Sequence, residues 1–82
     1  MFTQTITTWH EWEAERIADE LRHEDGAVVE VDEHTVTVRG LSWTLEPGHV
    51  REICSVVDVA HATLDGVEVV CERRDRAGDT PW

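Results

Sequence analysis

The sequence contains no lysine, no asparagine and no tyrosine, and it has one phenylalanine, two prolines and two cysteines in 82 residues. Without lysine, the seven basic residues are all arginines; they stand against 18 aspartates and glutamates, and the net charge is −11. A field of that sign repels nucleic acids and anionic membranes and attracts basic protein surfaces. The composition therefore argues against direct nucleic-acid binding and membrane binding.

Long hydrophobic runs are also missing. No run approaches the roughly 18 consecutive apolar residues that a membrane-spanning helix needs, and the amino end has no basic segment followed by an apolar one. We therefore expect a cytoplasmic protein. A chain of this length forms one domain with a small core, and we assign residues 1–73 to a single α+β domain and residues 74–82 to a polar C-terminal tail.

Motifs for catalysis or cofactor binding are absent as well. The five glycines stand alone, which excludes a glycine-rich phosphate loop, and the histidines and cysteines lack the paired spacing of zinc sites. Nothing in the local sequence marks Cys54, Cys71 or Ser42 as a nucleophile beside an oriented base. We expect no enzymatic activity, no cofactor and no metal site.

The two cysteines both occupy apolar positions of their segments. We expect Cys54 and Cys71 to be reduced and buried, acting as small hydrophobic side chains. A disulfide between them is the alternative, and it depends on a distance that the sequence does not give.

The first 26 residues predict a strand followed by a helix. Alternating side chains predict a strand from Phe2 to Thr7. Thr8 stands three residues before Glu11, the spacing of a capping box that begins a helix, and Gly26 ends it. Helical spacing predicts one apolar side for this helix, formed by Trp9, Ala14, Ile17, Ala18 and Leu21.

A valine pattern predicts a β-hairpin after Gly26. A two-residue reversal between positions 32 and 35 pairs Val31 with Val36 and Val29 with Val38, which places all four valines on one face. The alternation changes phase after Gly40, which indicates a bulge or a bend.

The segment after Pro47 fits two structures. As a helix, the apolar residues from Val50 to Leu64 fall within about 120° of arc, and Pro47 suits the first turn. As a strand, residues 56–64 pair with residues 67–72 across an Asp65-Gly66 turn. The helix uses more of the residues and is favoured; a final strand over residues 67–73 is common to both.

Both alternatives give a small α+β sandwich with an antiparallel sheet. The favoured helix produces the βαββαβ order of a ferredoxin-like fold, with two helices on one face of the sheet. The hairpin produces a one-helix, β-rich variant.

The acidic residues concentrate in the first half of the chain. Ten of the 18 lie from Glu11 to Glu33, against Arg16 and Arg22. Tryptophan is enriched among interface hot spots, and carboxylates steer a basic partner, so an acidic region that contains tryptophan suggests a docking surface. We predict that this partner-binding surface comprises Glu11, Trp12, Glu13, Glu15, Asp19, Glu20, Glu24, Glu30, Asp32 and Glu33.

These features favour a small, non-enzymatic binding or inhibitory protein that occupies a basic surface of a partner protein, such as a nucleic-acid-binding surface. Small phage-encoded inhibitors and DNA mimics have this general character, although no motif is shared with them. The alternative is a self-associating structural or regulatory domain, for example a homodimer, that is acidic for solubility or salt adaptation.

Overall fold

The computed structural model describes residues 2–71, which form five strands and two helices. In chain order these are β1 (Phe2–Thr8), α1 (Glu11–Leu21), β2 (Val28–Asp32), β3 (Thr35–Leu41), α2 (Pro47–Val57), β4 (His61–Leu64) and β5 (Val67–Val70). The strands form one antiparallel sheet in the order β2-β3-β1-β4-β5. The α+β class is confirmed. The four-strand ferredoxin-like order is not confirmed, because a fifth strand extends the sheet beyond β4.

Strand β1 lies at the centre of the sheet, between β3 and β4. Its even-numbered side chains Gln4, Ile6 and Thr8 are buried, whereas the threonines between them lie on the opposite face. The Gln4 side chain donates to the Leu45 carbonyl oxygen at 3.0 Å and accepts from the Leu45 N–H at 2.8 Å. This paired contact holds the segment that leads into α2 against the central strand.

The β2–β3 hairpin has the predicted register. Val31 lies opposite Val36 and Val29 opposite Val38, and all four side chains contribute to the hydrophobic core. The predicted irregularity at Gly40 is also confirmed, since the pairing of β1 with β3 shifts register where it passes this residue.

The segment from Pro47 to Leu64 contains both a helix and a strand. Helix α2 ends at Val57, where Asp58 takes a left-handed conformation with φ 64°, and β4 begins at His61. The prediction of a helix continuing to Leu64 is wrong, and the predicted Asp65-Gly66 hairpin forms, joining β4 to β5. Strand β5 ends at Val70 and does not include Cys71; the last two positions of the predicted strand, 72 and 73, lie outside the described residues. The predicted tail, residues 74–82, lies outside the described residues.

The core lies between the two helices and one face of the sheet. Helix α1 contributes Ala14, Ile17, Ala18 and Leu21, and α2 contributes Val50, Cys54 and Val57. Facing them are alternate residues of the strands, chiefly Ile6, Val36, Val38, Ala62, Leu64 and Val69. The other face of the sheet carries no helix among the described elements and is lined largely by threonines.

Two glycines approach each other where the α1–β2 connection passes the end of β3. Gly26 and Gly40 both have positive φ values, 79° and 87°. A Cβ at Gly40 would overlap the carbonyl oxygen of Gly26. Gly48, on the first turn of α2, is different: its φ is not positive, and a Cβ added there would meet no neighbouring atom of residues 2–71 within 4 Å.

We predict that Gly40→Ala lowers the free energy of unfolding by at least about 2 kcal/mol, because it adds both backbone strain and a backbone clash. Gly48→Ala is the matched control. Because alanine has a more favourable helix propensity than glycine, we expect this variant to be as stable as the wild-type chain or more stable by up to about 1 kcal/mol. Urea unfolding of both variants measures the difference. Equal stability of the two variants would contradict the packing described for Gly40.

Candidate functional site: the outer face of helix α1

The chain enters α1 through Trp9 and His10. Thr8 is still part of β1, where it pairs with Ala62, so it cannot serve as the helix N-cap. The predicted capping box of Thr8 and Glu11 is therefore wrong by two residues. His10 is the N-cap, and the Glu13 side chain accepts a hydrogen bond from its backbone N–H at 3.1 Å.

Trp12 lies in the first turn of α1, at the middle of the arc that faces solvent around the helix axis. It stands about 170° around the helix axis from the middle of the buried arc, and 51% of its surface is exposed. Glu15 and Arg16 follow it at the spacing of one helical turn, and Asp19 follows after two turns. The exposed carboxylates on the same side of the helix are those of Glu11, Glu15, Asp19 and Glu20, and the exposed Arg16 lies among them. We call this set, with Trp12, the α1 outer face.

The carboxylates of the α1 outer face are largely free of internal partners. Among the described residues, this set forms one ion pair, between Asp19 and Arg22 at 3.0 Å, and both side chains are at least half exposed. Such surface pairs contribute less than about 1 kcal/mol, so a partner could replace them at little cost. Glu24 is exposed in the turn after the helix.

Glu13 is not part of this outer face. Its exposed fraction is 1%, and its two oxygens accept hydrogen bonds from the backbone N–H groups of His10 and Ala60, each at 3.1 Å. The prediction that Glu13 contacts a partner is corrected: the side chain joins the start of α1 to the segment before β4. A signal was present in the sequence, because Glu13 precedes the buried Ile17 by one helical turn.

The acids of the β2–β3 hairpin lie on a different side of the domain. The valines that alternate with them pack toward the helices, so Glu30 and Asp32 extend from the opposite, open face of the sheet. Glu30 forms an exposed ion pair with Arg39 at 3.0 Å. Glu33 is exposed in the turn with φ 56°. The ten predicted residues therefore divide between two surfaces and the interior, and no flat partner surface can contact all of them.

Two tryptophan side chains near the start of α1 pair with histidine rings. Trp9, predicted on the apolar side of the helix, instead precedes it, is 65% exposed, and stacks on His61 with ring centroids 4.3 Å apart. The His10 and Trp12 rings lie nearly parallel at 6.3 Å. Two exposed indole rings thus flank the amino end of α1. The sequence could not indicate the first pair, because it joins residues from distant segments.

Residues 2–71 hold no group of three or more histidine, cysteine, aspartate or glutamate side chains placed to bind a metal ion. Neither α1 nor α2 is long and apolar enough to cross a membrane. The α1 outer face presents four exposed carboxylates and the half-exposed indole ring of Trp12.

We predict that Glu13→Ala lowers the free energy of unfolding by about 2–4 kcal/mol, because it removes a buried side chain and leaves the N–H groups of His10 and Ala60 without their carboxylate acceptor. Glu15→Ala, at an exposed position of the same helix, is the control and changes stability by less than about 0.5 kcal/mol. Thermal and urea unfolding measure both. A Glu13→Ala variant as stable as Glu15→Ala would show that these hydrogen bonds do not hold the helix.

No protein-family model, no curated protein and no solved structure matches this chain. A functional assignment for the α1 outer face therefore depends on its geometry and charge.

Proposed function

We propose that this protein is a small, non-enzymatic binding or inhibitory protein that occupies a basic surface of a partner protein through the α1 outer face. The observation that carries the proposal is Trp12, half exposed in the first turn of α1, on a helix face whose other residues are mostly carboxylates. Tryptophan provides a large contact area when it is buried by a partner, and the surrounding carboxylates favour a partner whose surface is positively charged.

The charge of the whole chain supports a basic partner. A net charge of −11 on 82 residues raises the local concentration of positively charged surfaces and speeds their association. The hairpin acids Glu30 and Asp32 contribute to this long-range attraction, although they lie on the open face of the sheet. We therefore assign steering to the whole acidic surface and direct contact to the α1 outer face.

Self-association is the second candidate, and exposed valines favour it. Val56 on α2 and Val67 and Val70 on β5 are each more than half exposed. Two copies would each carry −11, so their association should strengthen as salt screens the repulsion, whereas binding to a basic partner should weaken. Sedimentation at low and high salt separates the two candidates.

To test this, a basic protein is captured from lysate at low salt and purified. We predict that the Trp12→Ala variant binds this protein about tenfold or more weakly than the wild-type chain does, because the exposed aromatic contact is removed. The double variant Glu15→Lys, Glu20→Lys should bind at least about tenfold more weakly. The double variant Glu52→Lys, Glu68→Lys changes the net charge equally at exposed positions elsewhere and is the matched control.

Binding that falls equally in both double variants would mean that only net charge matters, which contradicts a specific α1 outer face. Full affinity in Trp12→Ala would likewise exclude Trp12 as the anchor. If the chain captures no basic protein at low salt and sediments as a dimer at high salt, the proposal is wrong and self-association takes its place.

A further inference from the structure

Strand β2 forms one edge of the sheet, and among residues 2–71 no strand lies on its outer side. Its five residues, Val28–Asp32, pair with β3 alone, and the pairing runs through all five positions without a register shift. Alternate residues of such a strand direct their N–H and C=O groups away from the sheet. The strand contains no proline, no lysine and no bulge, three features by which proteins prevent another strand from pairing with an edge.

Both ends of β2 are fixed by contacts with the rest of the sheet. At the amino end, Gly26 passes close to Gly40 of β3. At the carboxyl end, the carbonyl oxygen of His34 in the hairpin turn accepts a hydrogen bond from the Thr8 N–H of the central strand at 2.9 Å. An edge strand that is already ordered loses little conformational entropy when another strand pairs with it.

The two sides of β2 differ in chemistry. On the side of the helices, Val29 and Val31 pack against the core but are only partly buried. On the open side, Glu30 and Asp32 are exposed, and Asp32 forms no ion pair within residues 2–71. A strand added beside β2 would place alternate side chains against the two valines and the others beside the two carboxylates.

The charge of β2 determines which strand can pair with it. A second copy of this chain would bring like charges side by side at the edge, and each copy carries −11. A strand with basic residues at alternate positions would instead place opposite charges beside Glu30 and Asp32.

We propose that β2 binds an extended segment of a basic protein by strand addition, and that arginine or lysine alternates with apolar residues in this segment. Backbone hydrogen bonds provide the affinity in this mode of recognition, and the alternating side chains provide the specificity. The β2 edge is a second surface, distinct from the α1 outer face, and the two proposals do not depend on each other.

The test uses the full chain and a synthetic peptide of about seven residues in which lysine alternates with valine, with both ends blocked. In the chain without peptide, the outward-facing amides of β2 should exchange rapidly with solvent. The peptide should slow exchange at these amides by about tenfold or more, which hydrogen exchange followed by NMR measures residue by residue.

Variants that neutralise carboxylates test the side-chain contacts. The double variant Glu30→Gln, Asp32→Asn keeps the shape of both side chains and should bind the peptide at least about fivefold more weakly. The double variant Glu52→Gln, Glu68→Gln loses the same charge at exposed positions elsewhere and is the matched control. An equal loss of affinity in the two variants would overturn the assignment to β2.

Methylated peptides test the backbone contacts without altering the protein. Methyl groups on the backbone nitrogens of all the valines block one edge of the peptide, and methyl groups on those of all the lysines block the other. One of these peptides should lose binding and the other should retain it. Equal binding of both, a peptide that leaves β2 exchange unchanged, or protection at β5 instead would overturn the proposal. Outward β2 amides that are already protected without peptide would do the same, because another segment or a second copy would then occupy the edge.

Discussion

The carboxylate of Glu13 ties the amino end of α1 to the segment that precedes β4. One oxygen accepts from the His10 N–H within the helix cap, and the other accepts from the Ala60 N–H, 47 positions further along the chain. The Glu13 side chain is buried although its two donors lie at the surface, and the two bonds replace the hydration that the carboxylate loses on burial. The position of α1 and of its outer face relative to the sheet therefore depends on this side chain.

Where local pattern and tertiary packing agree, the structure follows the sequence closely. The β2–β3 hairpin has the expected register because a slip of one residue would expose every valine that it buries. In the second half, the same apolar residues satisfy helical and strand periodicity, and the boundary between α2 and β4 is set by the left-handed backbone of Asp58. No glycine marks that boundary, so periodicity alone could not place it.

The sequence indicated which acidic residues are abundant in the candidate site, but it did not indicate which of them share one surface. Acidic residues that are neighbours in the sequence separate in space, because alternation sends Glu30 and Asp32 to the face opposite the buried valines of β2. The helix acids lie on the other side of the two-layer domain. Glu13 and its exposed neighbour Glu15 are chemically alike in the sequence. Their different roles arise from helical phase and from a backbone donor at Ala60 that only the folded chain brings near.

The central position of β1 constrains how the domain can fold. Its two neighbours in the sheet, β3 and β4, come from the middle and the far end of the domain, and the Asp65 carboxylate also accepts from the Thr5 N–H at 2.9 Å. Formation of the β2–β3 and β4–β5 hairpins alone therefore does not complete the sheet, because β1 must pair with one strand of each. The sheet is complete only when segments remote in sequence meet at β1, and such non-local contacts slow folding in small proteins.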